Sequence, residues 1–136
     1  MADYLIDKSA FARLHRSTVK ERLNPMIMTG RIAMTGVVMA EILFSAQDRN
    51  DYDMQRSVLE SMPRVGMNEA TVDRALDIQA AMARVGTHRS ACVPDLLIAA
   101  CAQMNGLTVL HYDSDYDTIA AVTGQPTEWV VPAGTA

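Results

Sequence analysis

The spacing of apolar and polar residues changes period repeatedly along this chain. Tyr4-Leu5-Ile6 is a short continuous apolar run, as expected of a strand covered on both faces. The next stretch, roughly 9–22, has helical spacing with a basic face. It is expected to stop at Asn24-Pro25, because a residue preceding proline is pushed out of helical backbone. Arg31-Ile32-Ala33-Met34 reads as a second strand, and Thr35-Gly36 turns into an apolar helix over 37–46. The polar stretch Gln47 to Asp53 reads as a loop, followed by a helix of about 54–62 that halts at Pro63 and a short third strand, Arg64 to Met67. Asn68 is a favourable N-cap. The helix it opens carries Val72, Ala75, Leu76, Met82 and Ala83 on one face, and Gly86 is its natural stop. After a polar, basic loop over 87–92, Pro94 starts the helix Leu96 to Met104, which Gly106 closes. Thr108 to Tyr112 is a fourth strand, Asp117 to Val122 a short helix and Trp129-Val130-Val131 an edge strand, with Pro132 to Ala136 expected to fray.

Strands alternating with helices predict an α/β fold, a three-layer α/β/α sandwich around a mostly parallel sheet of four to five strands. The 136 residues suit a single domain, 1–136, with no repeat, linker or low-complexity segment. The start, Met1-Ala2-Asp3-Tyr4, lacks the features of a signal peptide, and no apolar run reaches the roughly 18 residues of a membrane helix. A cytoplasmic protein is expected. The two cysteines, Cys92 and Cys101, have no partners at zinc spacing and read as small buried hydrophobes. The ten methionines read as adaptable packing.

The net charge of −4 argues against a surface that attracts nucleic acid everywhere. The charge is uneven, however. Lys8, Arg13, Arg16, Lys20 and Arg22 face a single acid, Glu21, and Arg84, His88 and Arg89 form a second basic stretch.

Six acids stand at positions where a core has no use for them: Asp7, Glu41, Asp95, Asp113, Asp115 and Asp117. Asp7 and Asp113 follow strands, where open α/β sheets bind ligands. Asp7 can equally cap the helix that follows it. Glu41 interrupts Val37-Val38-Met39-Ala40 and Ile42-Leu43-Phe44, so it is either a functional carboxylate or the sole polar residue of a thin solvent-facing stripe. Asp95 can serve a site or only favour the positive end of its helix dipole. Asp113-Ser114-Asp115-Tyr116-Asp117-Thr118 starts like a calcium loop, but position six is Thr118 and position twelve Gly124, so that motif fails. Asp113 is read as a direct ligand, Asp115 as binding directly or through water, and Asp117 as the N-cap of the short helix. Converging carboxylates repel: two unit charges at about 4 Å cost roughly 4 kcal/mol at an effective dielectric near 20. A divalent cation is the usual compensation, so the pattern reads as a metal site. His111, alone in its strand, reads as a core histidine. No nucleophile elbow or phosphate loop is present.

In order and local context these acids resemble the PIN domain family, and within it the VapC-type toxins of toxin–antitoxin pairs. Leu5-Ile6-Asp7-Lys8-Ser9-Ala10 resembles the opening strand, and Ala40-Glu41 the single helical Glu. Pro94-Asp95-Leu96-Leu97-Ile98-Ala99-Ala100 resembles the family's Asp-x-x-Ile-Ala-Ala run. Leu110-His111-Tyr112-Asp113-Ser114-Asp115-Tyr116 resembles its closing Thr-x-Asp-x-Asp-Phe segment. The likeness spans essentially the whole chain. Three departures are Lys8 for a small residue, His111 for Thr and Tyr116 for Phe.

The resemblance implies a metal-dependent endoribonuclease toxin acting on structured or single-stranded RNA, tRNA included. It implies a catalytic pocket of Asp7, Glu41, Asp95 and Asp113. Asp7, Asp95, Asp113 and Asp115 would face Mg²⁺ or Mn²⁺, and Lys8, Arg13, Arg16, Lys20 and Arg89 would hold the RNA. It further implies a homodimer and a cognate antitoxin that places an Arg or Lys in the acidic pocket. Two other classes are weighed against it. A receiver-type phospho-acceptor module expects an acidic pair after the first strand and a late Lys, yet Asp7 has no acidic neighbour and no Lys follows residue 20. A PIN-like protein that binds RNA without cleaving it is at odds with intact acids.

Overall fold

The computed structural model describes residues 1–136. Five strands, β1 (Tyr4–Ile6), β2 (Ile32–Thr35), β3 (Arg64–Val65), β4 (Thr108–His111) and β5 (Thr127–Trp129), form one sheet in the order β3-β2-β1-β4-β5. Every neighbouring pair is parallel, and Tyr4 of β1 stands level with Ile32 of β2 and Thr108 of β4. The helices are α1 (Lys8–Phe11), α2 (Ser17–Met28), α3 (Gly36–Leu43), α4 (Arg49–Glu60), α5 (Glu69–Arg84), α6 (Val93–Met104) and α7 (Asp115–Thr123).

The chain winds outward from β1 to β2 and β3, then crosses back to β4 and on to β5. With right-handed crossovers, α1 to α4 cover one face and α5 to α7 the other, giving the expected three layers. The contacts agree: α1 meets α3 and α3 meets α4, while α5, α6 and α7 pack on one another. Leu5, Ile6, Val109 and Leu110 of the central strands are fully buried, as are Ile98, Ala99, Ala100 and Ala102 of α6. The small residues let α6 lie close to β1 and β4. Strand order reverses between β1 and β4, so the crevice of an open α/β sheet opens past their carboxyl ends. This order also differs from the 2-1-3-4-5 of receiver-type sheets, which sets that reading aside.

Several boundaries depart from expectation. The helix expected over 9–22 is two: α1 stops at Phe11, and α2 continues through Pro25 to Met28. Val19, Leu23 and Met26 bury one face of α2, and that burial offsets the roughly 3 kcal/mol an interior proline costs. The Thr29 hydroxyl also donates to the Pro25 carbonyl at 2.8 Å. The loop expected over 47–53 is mostly helix, because Asp48 accepts from the Asp51 N–H at 2.8 Å and caps α4. Helix α3 ends at Leu43, and Phe44 beyond it is 90% exposed. Helix α7 begins at Asp115 after Ser114, so Asp117 is not its N-cap; it lies in the first turn and accepts from Trp129 Nε1 at 3.2 Å. The edge strand is Thr127–Trp129 rather than 129–131. The final residues are tied down, the N–H groups of Gly134 and Ala136 donating to the Tyr112 hydroxyl at 2.6 and 3.3 Å. Cys101 is buried as expected, but Cys92 is exposed.

Candidate active site

One crevice gathers the acids. A cavity of 310 Å³ is lined by Asp7, Lys8, Ser9, Ala12, Arg13, Glu41, Cys92, Asp95, Asp113 and Asp115. All five candidate carboxylates therefore share it, although they come from four separate stretches of the chain. Asp7 follows β1, where its N–H continues the ladder to the Leu110 carbonyl at 2.9 Å. Asp113 stands two residues past β4, and its Oδ1 accepts from the Asp115 N–H at 2.9 Å. Asp95 lies in the first turn of α6, and Glu41 on α3.

Asp7 fills both roles considered for it. Its Oδ2 accepts from the Ser9 N–H at 3.0 Å and the Ser9 hydroxyl at 2.6 Å, capping α1, while the side chain still lines the crevice. Asp95, Asp113 and Asp115 form the tightest group, each offering one carboxylate oxygen, all within 4.8 Å of one another. Asp7 lies outside that group and is linked to Asp95 by the Tyr116 hydroxyl, 2.8 Å from Asp7 Oδ1 and 3.3 Å from Asp95 Oδ1.

The electrostatics follow from burial and like charge. Asp95 is only 6% exposed, and burial pushes its carboxyl up to about 6, with the charges of Asp7, Asp113 and Asp115 adding to the effect. Burial also raises Glu41, helped by Asp7 and opposed by Lys8. Asp115 is raised by burial and by Asp113. Glu41 Oε1 is buried without a hydrogen-bond partner. A solvent-facing polar stripe would leave no such orphan. The outward face of α3 is instead apolar around it, with Val37, Ala40 and Phe44 lining a furrow shared with Lys8 and Glu41.

The basic residues divide. Lys8 and Arg13 line the acidic crevice. Arg13 continues into an adjoining cavity lined also by His15, Arg16 and Tyr112. Its Nη1 donates to the Ser9 carbonyl at 2.7 Å and its guanidinium stacks 4.4 Å above the Tyr112 ring. Lys20 and Arg89 are exposed and line neither cavity.

Four further residues shape the site without having been singled out as its members. Ser9 orients Asp7, and its hydroxyl also accepts from the Tyr112 N–H at 2.9 Å. Cys92 sits at the rim, where partial burial pushes its thiol up to about 11, a rise that a hydrogen bond with the backbone of Asp95 opposes. His111 is fully buried, as expected. Its Nδ1 accepts from the Asp113 N–H at 3.1 Å, while Nε2 has no partner. Tyr116, fully buried, joins two of the acids. Its signals in the sequence are an aromatic in the middle of an acidic run and the departure from Phe in the segment it resembles.

A PIN domain model matches residues 4–122, and the chain belongs to the PIN domain family and, within it, to the VapC group. It is 43% identical to the ribonuclease VapC21 of Mycobacterium tuberculosis over 137 aligned positions, covering 98% of this chain and 97% of that protein. It is 40% identical to the ribonuclease VapC51 of the same organism, covering 97% and 96%. Among solved structures, a DNA-bound VapBC from Salmonella typhimurium superposes with a TM-score of 0.74 at 18% identity, covering 96% of this chain and all of that one. A toxin–antitoxin complex from Klebsiella pneumoniae superposes at 0.73 and 16% identity, covering 94% and 98%. These two likenesses speak for the fold alone.

Proposed function

We propose that this chain is a metal-dependent endoribonuclease and the toxin of a toxin–antitoxin pair. The observation that carries the reading is the convergence of Asp95, Asp113 and Asp115, oxygens within 4.8 Å, in a crevice completed by Asp7 and Glu41. The naming of its relatives as ribonucleases supports it. The donor set fits a hard divalent cation, since it is all carboxylate oxygen and Glu41 keeps a buried oxygen unpaired. Asp95, Asp113 and Asp115 would hold Mg²⁺ or Mn²⁺, with Asp7 beside them. Such an ion, when bound, supplies a more acidic water and neutralises charge developing at the phosphodiester. Glu41, raised by its burial, is suited to take a proton from the attacking water and release it. Lys8 and Arg13 offset the repulsion between the RNA backbone and the acids. The Arg13, His15 and Arg16 cavity extends the phosphate path, with Lys20 and Arg89 as outlying contacts.

The test is incubation of the pure protein with cellular RNA, with and without Mg²⁺ or Mn²⁺, beside Asp95→Asn. Metal-dependent cutting by the wild type is expected, with a loss of about a hundredfold or more in the variant. Cutting by neither protein overturns the nuclease reading; equal cutting by both overturns the site. Mapped ends then name the RNA, tRNA being the first candidate.

Two surfaces support the proposed partners. Phe11, Ile42, Met54, Val58 and Leu59 line an apolar cavity of 220 Å³ between α1, α3 and α4, near the furrow that reaches Glu41. An antitoxin segment laid there would bring an Arg or Lys to the acids. On the opposite face, Val72, Leu76 and Val93 are exposed around a small apolar cavity of α5 and α6, a surface suited to a second copy of the chain. The proposed setting is the cytoplasm, where RNA substrate and antitoxin are met. No helix is long and apolar enough to cross a membrane.

A further inference from the structure

Tyr116 carries chemistry that the volume it fills does not require. Its ring is core, fully buried and 4.9 Å from the His111 ring, and a phenylalanine would fill the same space. What the tyrosine adds is a hydroxyl at the floor of the crevice, directed at Asp7 Oδ1 at 2.8 Å and Asp95 Oδ1 at 3.3 Å. A buried hydroxyl needs one acceptor, and a neutral carbonyl would serve. Here two acids that repel each other converge on it instead.

We propose that Tyr116 is a positioning residue that clamps Asp7 to Asp95 and so sets the ligand geometry of the metal site. The inference rests on the metal-site reading above. The phenol proton is donated to Asp7 over the shorter distance and leans towards Asp95. Ser9 grips the other Asp7 oxygen through its N–H and hydroxyl. Asp7 is thereby held from two elements, α1 and α7, and cannot rotate away from Asp95. The donor is held in turn. Tyr116 packs against His111, and His111 is fixed by the N–H of Asp113, a third acid of the same crevice. One aromatic thus connects the β1, β4 and α6 contributions.

The test is Mn²⁺ binding followed by electron paramagnetic resonance on wild type, Tyr116→Phe and Asp95→Asn, with a melt of each metal-free protein. Tyr116→Phe is expected to fold and to bind Mn²⁺ about tenfold more weakly, the scale on which ligand-orienting groups act. The Mn²⁺ concentration that half-activates RNA cleavage should rise by the same factor, with the rate restored at saturating metal. Binding within about twofold of wild type overturns the clamp. A variant that fails to fold also overturns it, in favour of a purely structural role. If wild type binds Mn²⁺ no better than Asp95→Asn, the metal reading itself fails, and the clamp with it.

Discussion

Asp95 shows how one residue can be poorly suited to its place in the metal-free protein and still be required there. Its carboxyl is lifted to about 6 by burial, above the usual unfolded value near 3.9. Between these two values the folded chain holds a proton that the unfolded chain has released. Stability of the metal-free protein therefore falls as pH rises from about 4 to about 6, then levels off, a contribution on the order of 3 kcal/mol. Glu41 and Asp115 are raised in the same direction and steepen the fall. Melts in a chelator at pH 4.5 and 7.5 are expected to show the loss, and Asp95→Asn to reduce it and to melt higher than wild type at pH 7.5. Legibility varied among the residues. Glu41 stands out because an acid inside an unbroken apolar helix leaves only a thin solvent-facing stripe as its ordinary explanation. Asp95 does not, since a first-turn acid is common, and only its company marks it. Tyr116 was hidden, because an aromatic at a buried helix position is indistinguishable from core until its hydroxyl is placed in space.

At the scale of elements, the alternation of strands and helices was readable, whereas the ends of several helices were decided by side chains acting on backbone. Asp48 caps α4 and Asn68 caps α5, the latter in a reciprocal box with Thr71. Asp48→Ala and Asn68→Ala are each expected to lower stability by about 1 kcal/mol in denaturant titrations, with no effect on metal binding. Asn68 was legible because an apolar periodic helix follows it. Asp48 is not, because the start of α4, Arg49 to Asp51, is polar and resembles a loop. The length of α2 is hidden for the opposite reason: the local effect of Pro25 predicts a stop, whereas buried Met26 beyond it rewards continuing the helix.

The two faces of the molecule are expected to do different work. Met54 and Val58 of α4 are 72% and 62% exposed beside the cavity near Glu41. Val58→Asp is expected to leave RNA cleavage intact but abolish inhibition by the cognate antitoxin, measured by adding antitoxin to the cleavage assay. Leu76, 56% exposed on α5, is the matching probe of the other face. Leu76→Glu is expected to turn a dimer into a monomer by sedimentation velocity, and a wild-type monomer would refute the proposed homodimer. Of the two faces, that of α5 is legible as apolar periodicity and that of α4 is not; what covers either emerges only once the layers are stacked.

The reversal of strand order between β1 and β4 has a consequence for synthesis. Asp7 leaves the ribosome early, but β1 lacks one of its two neighbours until Thr108 to His111 have followed, and Asp113 comes later still. The acid pocket therefore closes only once the segment that carries Asp113 and Asp115 has been made. Premature stops and frameshifts upstream of Asp113 leave fragments unable to assemble it, so translation errors in such a protein fail towards harmlessness.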